Sequence, residues 1–153
     1  MLLWRLSGAE FAASFDGGYG LRFDGRWNRA GSPVTYCATS PSLCILEKLV
    51  HVEDPRLLPD LVMVAYEVPD AIGLEDIALA DLPDDWRRQE ALTQKLGEQW
   101  RSAGAYALLR APSAVVPLPD SPDVNVVINH DHPDIARMAI RRMTPFALDP
   151  RLF

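Results

Sequence analysis

Five of the nine glycines in this chain fall between residues 17 and 31, at Gly17, Gly18, Gly20, Gly25 and Gly31. Arg22, Arg26 and Arg29 lie among them. Glycine loses more backbone freedom on folding than any other residue and supplies no side chain to a core. A long helix or strand is therefore excluded here. The expected structure is a loop, with at most a short strand around residues 21–23. Glycine also lets backbone come close to a ligand, and arginine offers a planar fork to phosphate oxygens. The same segment is thus the first candidate for an anionic ligand such as a pyrophosphate. A turn-rich surface segment with solvated arginines is the alternative.

The regular elements have to be built around this loop. The spacing predicts strands over residues 2–6, 34–37, 61–68, 106–109, 114–116 and 124–128, and a last edge strand over 143–146, where Pro145 would not suit a central position. The 61–68 strand is the most apolar and is expected near the centre. Ser40-Pro41 reads as an N-cap followed by proline at the first helical position. That helix should run to about Val50, with Leu43, Leu46 and Val50 inward and Ile45 and Leu49 widening the stripe. A second, longer helix should start at Asp84 or Asp85 and end near Ala103, with Leu92, Leu96 and Trp100 on one face. Shorter helical turns are expected over 9–15 and 133–138. Strands and helices mix without regular strand–helix–strand alternation, so the fold class is α+β, one mixed α/β domain over residues 1–153.

Composition narrows the functional classes. The net charge is −6, so nucleic acid is not expected as a direct partner, since such binding draws on Lys and Arg at phosphates. Residues 60–90 carry nine acids against Arg87 and Arg88, whereas residues 1–31 carry four arginines against three acids. An anionic ligand is better received by the N-terminal third, and the acidic stretch reads as a solubilising face or a docking surface for a basic partner. No apolar run approaches the ~20 residues of a membrane span. Two cysteines, Cys37 and Cys44, are too few for a disulfide scaffold. With no signal-peptide pattern at the start, a cytoplasmic location is expected.

Few other residues carry chemistry. Glu47 falls about 40° from Leu43 on the helical wheel, at the edge of the apolar stripe. It either pairs with His51 and solvent or projects into a neighbouring cleft. Ser113 follows Pro112 ahead of an apolar run, without the Gly-x-Ser-x-Gly elbow of a hydrolase nucleophile. Tyr36 and Trp27 either fill the core or stack on a flat ring. His51, His130 and His132, with the two cysteines, lack metal-ligand spacing, so no metal is expected.

Three blocks taken together resemble the RES-domain family. The first is Gly25-Arg26-Trp27-Asn28, then Gly31 and Val34-Thr35-Tyr36. The second is Ser40-Pro41, Leu46-Glu47 and Leu49-Val50-His51. The third is Pro112-Ser113-Ala114-Val115-Val116-Pro117, with Asn125, Asn129, His132 and Pro133. Departures are His130, where the family often has proline, and a longer segment between Leu118 and Val124. The resemblance spans nearly the whole chain. It implies a fold like that of ADP-ribosyltransferase toxins, and a toxin of a toxin–antitoxin pair that breaks down NAD⁺ at the nicotinamide–ribose bond with water or phosphate. Transfer of ADP-ribose to a protein is the implied alternative. A non-catalytic nucleotide-binding or interaction domain is the rival reading from another class. The implied site comprises Arg26, Glu47 and Ser113 as catalytic residues, with Arg26, Tyr36 and Asn125 binding NAD⁺ as substrate and no resident cofactor. The implied partner is an Xre-like helix-turn-helix antitoxin in a hetero-oligomer, with DNA reached only through it.

Overall fold

A computed structural model describes all residues, 1–153. Seven strands form one sheet: β1 (Leu2–Gly8), β2 (Val34–Ala38), β3 (Leu61–Glu67), β4 (Leu74–Asp76), β5 (Leu108–Pro112), β6 (Val124–Asn129) and β7 (Ala139–Phe146). Their order is β4-β5-β6-β2-β1-β3-β7. All neighbours are antiparallel except β4 and β5. A parallel pair needs a crossover connection, and that connection carries the longest helix, α3 (Glu90–Ala103). The other helices are α1 (Gly18–Arg22) and α2 (Pro41–Leu49). The mixed α/β class expected from the sequence is what the chain adopts.

Strand alternation sorts the core into two layers. Leu3, Cys37, Val64, Tyr66, Leu108, Val126 and Ile128 face one side, where Ala12, Ile135 and Met138 cover them. The opposite face is divided. Over β5 and β6, Leu109, Ala111 and Val127 pack with Trp27, Trp86 and Trp100. Over β1 and β3, Trp4, Leu6 and Met63 pack with Leu43 and Cys44 of α2. Tyr36 and Asn125 belong to this divided face, because Tyr36 pairs with Val127 and Asn125 with both Ala38 and Ala111. They sit on the central strands, between the two helix-covered halves.

Several local expectations change. Residues 21–23 do not form a strand: α1 takes Leu21 and Arg22. Residues 114–116 bend rather than extend, because the Ser113 hydroxyl caps the Val115 and Val116 amides. The long helix is not capped by Asp84 or Asp85. A 3₁₀ turn over Trp86–Arg88 comes first, and α3 starts at Glu90. Its buried face is Thr93, Gln94, Gly97 and Trp100, with Leu92 and Leu96 only half-buried. β3 is one strand in from the edge, not at the centre, and β7 is the edge strand expected. Helix α2 is rotated relative to the predicted stripe: Leu43 and Cys44 are buried, but Leu46 is 41% and Val50 58% exposed. Cys44 and Glu47 lie about 100° and 40° from Leu43, whereas Leu46 lies about 60° the other way. The inward arc is therefore centred near Glu47.

Candidate active site

That rotation turns Glu47 toward the sheet. Ser40 fixes the start of α2, its hydroxyl accepting from Leu43 N at 3.2 Å and donating to Asp123 at 2.5 Å. Two turns later, Glu47 Oε1 accepts from Ser113 Oγ at 2.7 Å and from Asn125 Nδ2 at 2.8 Å. A helix, the end of β5 and the start of β6 thus converge on one carboxylate oxygen. Oε2 has no protein partner. Ser113 is fully buried and its hydroxyl is saturated, donating to Glu47 while accepting from two backbone amides. It is built to hold a carboxylate, not to attack a substrate. Of the two readings open for Glu47, pairing with His51 does not occur.

Arg26 lies at a second pole, in the loop after α1. This loop is heavily anchored. Asn28 is 1% exposed, and its amide donates to the carbonyls of Gly20, Phe23 and Arg29. Tyr36 Oη donates to Asn28 Oδ1 at 2.7 Å and accepts from Trp27 N at 2.9 Å. Burial pushes the Tyr36 phenol well above its ordinary value, so it remains a donor. From α3, Gln94 Nε2 donates to Gly25 O at 3.1 Å and Ser32 Oγ donates to Glu98 at 2.5 Å. Gly97 lets α3 come this close, since a Cβ there would overlap the Trp27 carbonyl. Arg26 itself lies over the Trp86 ring, 5.7 Å to the centroid, and donates to Arg87 O at 3.0 Å.

The predicted residues therefore gather in two groups. Glu47, Ser113 and Asn125 touch one another. Tyr36 anchors the backbone beside Arg26. Neither Arg26 nor Tyr36 bonds directly to the Glu47 group. Trp27, at 1% exposure, is a core residue and unavailable for stacking. His130 lies elsewhere, its Nε2 2.8 Å from Thr35 Oγ1, on the opposite face of the sheet. Burial pushes the Cys37 and Cys44 thiols up, which removes their nucleophilic character. No three His, Cys, Asp or Glu side chains converge as metal ligands, and no helix is long and apolar enough to cross a membrane.

Sequence reasoning missed Asn28, Gln94 and Tyr19. Asn28 was visible only as one letter of a motif. Gln94 shares its helix face with Gly97 and Trp100, and that small–polar–aromatic face was the available signal. Tyr19 is 58% exposed, edge-on to Tyr36 at 6.5 Å and 5.2 Å from Phe23, so an open aromatic row borders the site. The acidic stretch is not one face: Glu67 pairs with Arg141, Asp76 with Arg110 and Asp70 with the N-terminal amine.

This chain is similar to a Toxin Res of Pseudomonas putida, 38% identical over 155 residues and covering 100% of both chains. It is also similar to a Toxin Res of Photorhabdus laumondii, 32% identical over 99% of this chain and 97% of that one. A Prs ADP-ribosylating toxin of Sphingobium is 33% identical over 84% of this chain and 80% of its own length. The fold matches a chain in the crystal structure of the M. tuberculosis MbcT–MbcA toxin–antitoxin complex, with a TM-score of 0.73 at 20% identity, covering 99% of this chain and 85% of that one. The RES domain matches residues 2–149. With two poles assembled from the three motif blocks and a match along nearly its whole length, this chain belongs to the RES domain family of toxins.

Proposed function

We propose that this protein is a toxin enzyme that cleaves the nicotinamide–ribose bond of NAD⁺ and is silenced by a cognate antitoxin. The observation that carries the reading is Glu47. Its carboxylate is oriented through one oxygen by Ser113 and Asn125, and the other oxygen is left without a protein partner. Bond cleavage sends the C–N electron pair to the pyridinium nitrogen, so nicotinamide leaves neutral and needs no general acid. Positive charge then develops on the ribose in an oxocarbenium-like state. A fixed carboxylate beside it stabilises that charge without reorganising. The free Oε2 accepts from a ribose hydroxyl. Arg26 grips the pyrophosphate, and Tyr36 both holds the Arg26 loop and flanks the ring. Water or phosphate adds at the ribose carbon and releases a proton, giving ADP-ribose or its phosphate.

A second reading, transfer of ADP-ribose to a protein side chain, draws support from the Sphingobium relative, which is named an ADP-ribosylating toxin. The two readings share the cleavage step and differ in the acceptor. Purified protein incubated with NAD⁺, with and without phosphate, and with or without cell extract, separates them. Free nicotinamide with ADP-ribose or its phosphate supports the first reading. Nicotinamide released only with extract, and label retained on protein, supports the second. No nicotinamide under any condition overturns both. The chain resembles a member of a toxin–antitoxin complex. The proposed partner is an antitoxin, of the Xre-like type that the family resemblance implies, which supplies the DNA contact and acts with this chain in the cytoplasm.

A further inference from the structure

Among the arginines, six are paired with carboxylates, and those left unpaired include Arg22, Arg26, Arg29, Arg87 and Arg88. In a chain of net charge −6, guanidinium groups left unpaired call for an explanation. Arg87 is the most telling. It lies in the 3₁₀ turn Trp86–Arg88, at the far end of the acidic stretch. Its backbone carbonyl accepts from Arg26 Nη1 at 3.0 Å, and its own Nη1 donates to Ala114 O at 3.3 Å. Ala114 adjoins Ser113, which holds Glu47. Arg87 is thus bonded to Arg26 at one pole and to the residue next to Ser113 at the other.

The turn is firmly set. Trp86 is 4% exposed, packed beside Trp27 at 6.2 Å, and lies beneath the Arg26 guanidinium. Asp84 and Asp85 are close in sequence, yet neither pairs with Arg87. Asp85 is instead occupied by Gln89 at 2.6 Å. One N–H of the Arg87 guanidinium is spent on the Ala114 carbonyl, and the others have no partner in the protein. Arg87 on this turn and Arg26 laid over it, both free of carboxylates, suit a ligand with two linked phosphate groups.

We infer that Arg87 is a second anion-binding residue of the site, acting with Arg26 on the pyrophosphate of the dinucleotide. The inference rests on the proposed NAD⁺ chemistry for its ligand and deepens it. Arg26 meets one phosphate from the glycine-rich loop. Arg87 meets the other from the turn between the poles, and so sets the reach from pyrophosphate to Glu47.

Calorimetric titration with ADP-ribose, at low and at physiological salt, tests this. Arg87→Ala and Arg87→Gln should each weaken binding about 10-fold and flatten its salt dependence. Arg88→Ala should stay within about 2-fold. The glutamine variant keeps a donor for the Ala114 carbonyl, so it guards against mere loss of the turn, and thermal melts of all variants confirm folding. Wild-type affinity in Arg87→Gln would reduce Arg87 to a structural tie and overturn the inference. So would an equal loss in Arg88→Ala, or no ADP-ribose binding by the wild type. Nicotinamide release, measured in parallel, judges the reaction separately. A chain that binds ADP-ribose through Arg87 but releases no nicotinamide would sink the proposed activity while confirming the anion clamp.

Discussion

The two poles of the site are made in opposite ways. At the Glu47 pole the carboxylate itself is gripped, by one hydroxyl and one amide reaching from the ends of different strands. At the Arg26 pole the backbone around the residue is gripped, by Asn28, Tyr36 and Gln94, and the guanidinium keeps most of its donors. A group that must stabilise a brief, local charge gains from being immobilised beforehand. A group that holds a flexible diphosphate needs its loop in place and its fork free. On the proposed reading the contrast separates catalysis from capture, and it can be broken at four points.

The largest effect is expected at Glu47. Glu47→Gln keeps the shape and removes the charge, so kcat should fall by about 10²–10³ with KM nearly unchanged. A folded variant with full turnover would remove Glu47 from the mechanism. Next is the loop's anchor. Asn28→Ala leaves the Phe23 and Arg29 carbonyls without a partner and takes away the acceptor of the Tyr36 hydroxyl, a loss of about 2–3 kcal/mol. Denaturant unfolding measures the loss, and an unchanged midpoint would show that the loop is held elsewhere. Third, Arg26→Ala should raise KM about 10-fold and leave kcat within about 2-fold. A fall in kcat alone would place Arg26 with Glu47, as a transition-state group, and erase the division between the poles.

The smallest effect lies on the other face of the sheet. Burial lowers the proton affinity of His130 below the ordinary imidazole value, with Arg5 adding to this and Asp16 and Asp131 opposing it. The unfolded chain therefore takes up the proton first, and stability should decline as pH falls below about 6.5. His130→Gln should flatten that slope without changing NAD⁺ kinetics at neutral pH. A shifted activity profile would tie this face to the site.

Much of the fold is legible in short stretches of the chain. The mixed class, the capped start of α2 and the edge position of β7 follow from Ser40-Pro41, from Pro145 and from irregular alternation of apolar runs. The resemblance in the motif blocks also points to Arg26, Glu47, Ser113 and Asn125 as candidate site residues. Periodicity failed where a polar residue claimed the inward arc. Leu46 and Val50 looked like core, yet Glu47 turns α2 toward Ser113 and Asn125. In α3 the buried face carries Gln94 and Gly97 beside Trp100, because part of it receives a backbone loop instead of apolar side chains.

Local chemistry is written in neighbouring residues: a cap, a proline, a run of glycines. The sequence by itself therefore determined the class of the fold and which residue types were available for a phosphate, a carboxylate and an aromatic contact. Only the tertiary structure decided that Ser113 is a clamp on Glu47, that Tyr36 anchors a loop and that Arg87 joins the two poles. Those roles depend on pairs 66, 8 and 61 residues apart along the chain. The sheet order β5-β6-β2 brings Ser113, Asn125 and Tyr36 together, and the β4–β5 crossover carries Arg87 between them. Strand order and crossover are global packing choices with no local signature.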